Sequence, residues 1–466
     1  MEIKANLKNL RDKAPLVHII SNSVTRARLA DFVLSLGASP MMAEYSKEVA
    51  EITKKSSALL LNMGMLNEDK IEAIKISAKV AEENNIPLVF DPVGVASSSL
   101  RRDLAKDLIS NFKFNVIRGN FNEINYLARG KTFTGVDSRD ENLSREDFID
   151  IALELQEKSK ATVVVSGKYE VIANSHLLIS IPGGDEHLKK ITGLGDMESA
   201  MITSLLAAPM SNLKACTLAA IFLRQLGKSV IRDNKVNAQD IISKMQGIDE
   251  ISGEIEIFSP STKFIKPILY GISEGEDLWK IKNAVKAGMG IYQLRDKFAD
   301  EDELGEKILN IKSEIDGKCL FILNDNLKLA KKYGTALHLG QEDEKISRAR
   351  EVLGRDEIIG ATAKTVKLGI DAENMGASYI GTGAFFETET KKDASRITLE
   401  SFKEIREALL IPVFPIGGIS KDKLDFFNGL DLDGLCMSRA IFSEREDEVE
   451  KNVREIIKKL KNFSLK

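Results

Sequence analysis

Ile291-Tyr292-Gln293-Leu294-Arg295-Asp296-Lys297 is a short apolar run that ends in charge. Seven stretches of the same kind flank it, at 268–273, 320–325, 336–341, 358–363, 379–386, 412–419 and 434–442, with helical segments between them. Strand-like runs alternating with helices imply a parallel sheet. Eight such units predict a (β/α)8 TIM barrel, slightly compact for the type. Runs that are apolar throughout fit strands buried on both faces. Most of them end in polar or glycine-rich sequence, such as Asn324-Asp325-Asn326, Gln341-Glu342-Asp343 and Gly417-Gly418. In this fold the carboxyl ends of the strands form the catalytic face. Ordinary polar loops would look similar, but a charge inside a run, as at Arg295, is costly to bury without a ligand.

The first half also alternates. Buried strands are predicted at 17–21, 58–64, 87–94, 114–120 and 161–167, with helical patterns such as 67–85 between them and 171–181 as an antiparallel edge. This pattern predicts an α/β/α layered sheet. A polar, turn-rich stretch from Gly247 through Ser259-Pro260-Ser261-Thr262 separates the halves. The expected division is a domain at 1–250, a linker at 251–265 and a second domain at 266–466.

Composition removes several functional classes. The 466 residues suit two to four domains, and 43% hydrophobic with 29% charged residues describes a globular chain rather than a disordered or fibrous one. A net charge of −4 disfavours nucleic acid as a partner. Three widely spaced cysteines make neither a disulfide framework nor a zinc cluster, and fit a reducing, cytoplasmic setting. The start lacks the apolar core of a signal peptide. The most apolar stretch, 408–419, is short and holds two prolines, so no membrane span is expected. Four scattered histidines argue against a histidine metal site; His338 reads as a strand histidine satisfied by its neighbours.

Chemistry concentrates first in Ile191-Thr192-Gly193-Leu194-Gly195-Asp196, where a helical pattern begins. A glycine loop opening a helix presents free N–H groups and a partial positive charge, which suits a transferring phosphate. Asp196 at its edge is a candidate general base; as an alternative it is a plain helix N-cap. Arg118, at a strand end, could pair with a nucleotide phosphate. Glu123 could hold Mg²⁺ through water, although Asn120 and Glu123 also match a capping box. Asp91 offers another carboxylate after a strand, unless it marks only a turn. In the second half Gln293, Arg295 and Lys297 alternate, which in a strand puts them on one face and suits a diphosphate. Asp325 and Asp343 end neighbouring strands and could share Mg²⁺. Loops after the seventh and eighth strands, with Gly417, Gly418, Ser438 and Arg439, suit a separate monophosphate.

The first-half blocks carry a resemblance. Val17-His-Ile-Ile-Ser-Asn22, Gly37-Ala-Ser-Pro-Met-Met-Ala43, Asp91-Pro-Val-Gly-Val95, Val116-Ile-Arg-Gly-Asn120, Gly135-Val-Asp-Ser138, Val165-Ser-Gly167 and the glycine loop resemble, in order, the hydroxyethylthiazole kinases of the ribokinase-like superfamily. The resemblance implies phosphorylation of 4-methyl-5-(2-hydroxyethyl)thiazole by ATP and Mg²⁺. It assigns Asn22, Met42 and Gly193 to the thiazole alcohol, Arg118 and Ser166 to ATP, and Asp91 and Glu123 to the metal region. Trimers with sites between subunits are implied on the same basis. Ser166 stands where Thr is usual and keeps the hydroxyl. Asp196 stands where many such kinases carry Cys, and a carboxylate is the better proton acceptor near neutral pH.

The second half resembles thiamine-phosphate synthase through Gln293-Leu-Arg-Asp-Lys297, Asn324-Asp-Asn326, His338-Leu-Gly-Gln-Glu-Asp343, Thr388-Glu-Thr-Lys-Lys-Asp-Ala394 and Ile416-Gly-Gly-Ile419. That family joins 4-amino-2-methyl-5-pyrimidinylmethyl diphosphate to thiazole phosphate and releases pyrophosphate. The resemblance assigns Gln293, Arg295, Lys297, Asn324 and Lys391 to the pyrimidine diphosphate, and Asp325 and Asp343 to Mg²⁺. Thr388, Thr390, Gly417, Gly418, Ser438 and Arg439 fall to the thiazole phosphate, and the Thr362 hydroxyl to the pyrimidine or leaving group. Asp296, Asn326, Thr362 and Arg439 depart from the usual Glu, Arg, Ser and Ser. The expectation is a bifunctional enzyme of thiamine biosynthesis, probed against two rivals: a kinase-like half that is only a trimerising scaffold, and a kinase for another small alcohol.

Overall fold

The computed structural model describes residues 3–131, 143–182, 187–188, 191–231, 238–245, 256–258, 268–275, 277–315, 317–387, 396–430, 432–442 and 445–463. The chain separates into two compact units, Met1–Ser259 and Pro260–Lys466.

The first unit is a nine-stranded sheet. Its strands are β1 (Leu16–Ile20), β2 (Ser39–Met41), β3 (Ala58–Asn62), β4 (Leu88–Asp91), β5 (Val116–Asn120), β6 (Thr162–Ser166), β7 (Tyr169–Ala173), β8 (Leu178–Pro182) and β9 (Glu256–Phe258), in the order β2-β1-β3-β4-β5-β6-β7-β8-β9. The strands from β2 to β6 are parallel, and β7 to β9 continue antiparallel. β1, β3 and β4 are apolar and buried along almost their whole length, as a sheet covered on both faces requires. Helices pack on both sides: Glu68–Glu83, for example, buries Ala73, Ile74, Ala78 and Ala81 in a core with Leu59, Leu61 and Phe90.

Three details differ from the sequence reading. The 171–181 run is two strands, because the Asn174 side chain accepts from the His176 and Leu177 N–H groups and turns the chain. β2 and β9, at three residues each, are too short to stand out as strands. β9 lies inside the stretch read as a linker.

The second unit holds β10 (Ile268–Ser273), β11 (Ile291–Leu294), β12 (Leu320–Asn324), β13 (Ala336–Leu339), β14 (Ile359–Thr362), β15 (Tyr379–Thr382), β16 (Val413–Pro415) and β17 (Gly434–Met437), all parallel. The order β16-β15-β14-β13-β12-β11-β10-β17 wraps around so that β16 lies beside β17. Asp433, just before β17, accepts from the Val413 N–H at 2.8 Å and pairs with Arg406 at 2.9 Å, which ties the closing strands. Tyr270, Ile291, Ile322, Tyr379, Phe414 and Cys436 fill the barrel interior. This is a near-closed (β/α)8 barrel.

Candidate functional site

In the first unit the chemistry-bearing residues gather at the carboxyl ends of the parallel strands, where open α/β sheets bind ligands. The helix Leu194–Leu206 runs into this end. Its N-cap is Gly193 in the left-handed region, φ +86°, with no side-chain cap. Asp196 therefore lies inside the first turn, and the plain-cap alternative does not hold. Its carboxylate is almost buried and faces three donors. Asn22 Nδ2 donates to Oδ2 at 2.9 Å, Thr25 Oγ1 to Oδ2 at 2.6 Å, and Asn62 Nδ2 to Oδ1 at 3.0 Å. A Cβ on Gly193 would lie 2.5 Å from Thr25 Cγ2, so glycine is needed for space as well as for φ. Met42 is half-buried and directly follows β2.

Arg118 rises from β5 beneath the glycine loop: a Cβ on Gly195 would sit 2.5 Å from its Nη1. Its Nε and Nη2 bind Glu198 at 2.9 and 2.8 Å, and Nη2 also donates to Ser166 Oγ at 2.7 Å. Arg118 and Ser166 are thus brought together. Asp91, at the end of β4, is fully buried; Ser199 Oγ donates to its Oδ2 at 2.7 Å, and its Oδ1 has no partner among the described residues. Burial pushes its carboxyl well above the usual range, with the neighbouring carboxylates Glu123 and Asp196 adding to the rise. Glu123 completes a capping box with Asn120 and also accepts from the Gly94 N–H at 2.9 Å, so both carboxylate oxygens hold backbone.

In the barrel, Gln293 is buried on β11 and its Nε2 has no partner among the described residues. Arg295 and Lys297 lie past the last strand residue, Leu294, half-buried and exposed. The alternation along one strand face thus covers only Gln293. Neither cation forms an ion pair with a described residue, and both act on Asp325. Asn324 ends β12, followed by Asp325 at φ +64°. Asp325 and Asp343 are neighbouring carboxylates, and Asp343 Oδ2 accepts from the Gly340 N–H at 2.6 Å. Partial burial, then Asp343 beside it, push Asp325 up to about 6. Inside the barrel, Thr362 Oγ1 bonds His338 Nε2 at 3.0 Å, and His338 Nδ1 bonds the Tyr379 hydroxyl at 2.9 Å. Gly417 and Gly418, at φ +100° and +66°, leave no room for a Cβ against Ala384, Phe386 and Glu387. Ser438 and Arg439 follow β17, exposed. Thr388, Thr390, Lys391 and the Gly135 block lie outside the described residues.

The hydroxyethylthiazole kinase family model matches residues 7–259. The chain belongs to the hydroxyethylthiazole kinase family. The thiamine monophosphate synthase model matches residues 269–441. With both domains, this kinase-family member is a bifunctional enzyme of thiamine biosynthesis. A hydroxyethylthiazole kinase of Clostridium beijerinckii is 40% identical over 211 residues, 45% of this chain and 76% of that protein. The structure of a hydroxyethylthiazole kinase protein from Pyrococcus horikoshii OT3 matches with a TM-score of 0.50 and 25% identity, covering 55% of this chain and 99% of that one. A thiamine phosphate pyrophosphorylase from Pyrococcus furiosus matches with a TM-score of 0.39 and 29% identity over 42% of this chain and 96% of that one.

Sequence reasoning missed three residues of the hydroxyethylthiazole kinase unit. Thr25 and Asn62 are donors to Asp196, and nothing in their local sequence marks them. Lys70 is buried on the helix after β3, and its Nζ donates to the Ser21 and Gly64 carbonyls at 2.6 Å each. It clips together the chain just before Asn22 and the turn just after Asn62. Burial lowers it to about 8. Lys70 stands in register with Ala73, Ile74 and Ser77 on the buried face of its helix, so a cation on an otherwise apolar stripe was the available signal.

Proposed function

We propose that the two halves catalyse successive steps. The first transfers the γ-phosphoryl of ATP to 4-methyl-5-(2-hydroxyethyl)thiazole. The second joins the thiazole phosphate to 4-amino-2-methyl-5-pyrimidinylmethyl diphosphate, giving thiamine phosphate and pyrophosphate. The carrying observation is the Asp196 carboxylate, held by three donors at the mouth of the glycine loop and 174, 171 and 134 residues from them in sequence.

In the kinase step Asn22, Met42 and Gly193 frame the alcohol and Asp196 accepts its proton. The N–H groups at the start of the Leu194–Leu206 helix, with Arg118 and Ser166, meet the charge on the transferring phosphoryl. In the barrel Gln293 and Asn324 orient the pyrimidine, Arg295, Lys297 and Lys391 hold the diphosphate, and Thr362 offers its hydroxyl to the pyrimidine or the leaving group. Thr388, Thr390, Gly417, Gly418, Ser438 and Arg439 hold the thiazole phosphate. The thiazole nitrogen attacks the methylene as the C–O bond to pyrophosphate breaks.

Mg²⁺ fits the residues at both sites. The buried Asp91 Oδ1 lacks a partner among the described residues, and Asp325 and Asp343 are neighbouring carboxylates whose repulsion a cation would relieve. Glu123, with both oxygens on backbone N–H groups, would reach the ion through water. When bound, Mg²⁺ neutralises phosphate oxygens. Val24 and Met65, the latter bonded by Ser23 beside Asn22, are exposed apolar surface that a homotrimer built through the kinase unit would cover. The cysteines Cys216, Cys319 and Cys436 are unpaired, in keeping with a cytoplasmic enzyme. Among the described residues, no helix is long and apolar enough to cross a membrane.

The test supplies the full chain with ATP, Mg²⁺ and the pyrimidine diphosphate, together with either the thiazole alcohol or its phosphate. Both routes should give thiamine phosphate. Asp196→Asn should abolish the alcohol route and spare the phosphate route. Product from the phosphate alone in the wild type would leave the kinase unit a scaffold; a higher kcat/KM for another alcohol would reassign the substrate.

A further inference from the structure

Behind Arg118 lies a buried group of charges that the proposed chemistry leaves unused. Glu198, one turn-half past Asp196 on the same helix, binds Arg118 through Nε and Nη2. Glu170 on β7 lies beside Glu198, and Arg224 Nη2 donates to Glu170 Oε2 at 2.6 Å. Arg224, in the helix Asn212–Val230, also donates to the Ile181 and Pro182 carbonyls that end β8. Glu170 and Glu198 are 3% and 6% exposed, so water cannot compensate their charges.

We propose that Glu198, braced by Glu170 and Arg224, is the positioning residue that sets the Arg118 guanidinium for the nucleotide phosphates. This rests on the reading of Arg118 as an ATP contact. Three observations carry it. With Nε on Glu198 and Nη2 on Glu198 and Ser166, the nitrogen left without a described partner is Nη1, which lies against Gly195 of the glycine loop. Glu198 thus fixes which edge of the guanidinium faces the phosphates. Glu198 in turn needs its other flank held. As a carboxylate, Glu170 would leave its buried Oε1 with no partner; as an acid, it donates that proton to Glu198 while Oε2 accepts from Arg224. Burial and the adjacent Glu198 carboxylate both raise Glu170, whereas Arg118 holds Glu198 ionised. The pair is therefore asymmetric: one acid that donates and one carboxylate that accepts from both sides.

The asymmetry makes the test. Kinase steady-state kinetics are measured on the full chain with ATP and the thiazole alcohol varied separately, for Arg118→Met, Glu198→Gln, Glu170→Gln and Glu170→Leu. The barrel's phosphate route serves as a control for folding. Glu198→Gln should raise KM for ATP roughly tenfold or more, with KM for the alcohol unchanged. Glu170→Gln retains the wild-type KM for ATP, because its amide donates to Glu198 and its carbonyl accepts from Arg224. Glu170→Leu, which can do neither, should behave like Glu198→Gln, and the Glu170 pair decides the matter by itself if Glu198→Gln does not fold. An unchanged KM for ATP in both Glu198→Gln and Glu170→Leu would overturn the proposal. So would equal losses in kcat and both KM values, or a Glu170→Gln variant as impaired as Glu170→Leu. An unchanged KM for ATP in Arg118→Met would instead reject the reading of Arg118 itself.

Discussion

Asp196, the base of the proposed kinase step, lies in a nearly dry pocket. Its two oxygens accept from Asn22, Thr25 and Asn62, which fixes the orientation of the carboxylate. Thr25→Val keeps the shape and removes one charge-assisted donor, worth about 1.5 kcal/mol or more. The expected result is a kinase kcat/KM lowered roughly tenfold, with the phosphate route intact, measured by the two-route assay. Asp196 and Asn22 were legible because each sits in a compact motif. Thr25 and Asn62 were not, because only the folded sheet brings them within reach. In the barrel, Asp325 titrates at about 6 because it is partly buried and faces Asp343. Above that pH both carboxylates are free to hold a cation; below it a proton competes. Mg²⁺ affinity of the barrel should therefore fall as pH drops from 7 to 5, read by calorimetric titration in the presence of the pyrimidine diphosphate. A pH-independent affinity would remove the pair from the metal site.

At the scale of elements, the glycine loop is where sequence and structure part most usefully. An aspartate after two glycines reads as the residue that starts a helix. The helix instead starts at Leu194 from a left-handed Gly193, so capping does not consume the carboxylate. Gly193→Ala should cost about 1–2 kcal/mol of backbone strain and push Thr25 off Asp196. Kinase activity should fall more than the thermal midpoint, as seen by comparing turnover with a melting curve. The eight barrel strands were legible because short apolar runs recur with helical segments between them. Their ends were less so: Arg295 and Lys297 continue the alternation on paper, yet the ladder stops at Leu294.

For the whole molecule, two compact units were visible as a change of pattern, each with its own apolar core. The exact border was harder, because the polar stretch between them is not all connector. Glu256–Phe258 pairs antiparallel with β8, in register from Leu178↔Phe258 to Ser180↔Glu256. An unpaired sheet margin invites other chains to add themselves. The three residues act as a hem sewn along the last apolar strand of the kinase sheet just before the polypeptide leaves it. Anyone excising that unit for separate study would do well to keep the hem. A fragment stopped at residue 255 should self-associate in light scattering, whereas one carried through Ser259 should not.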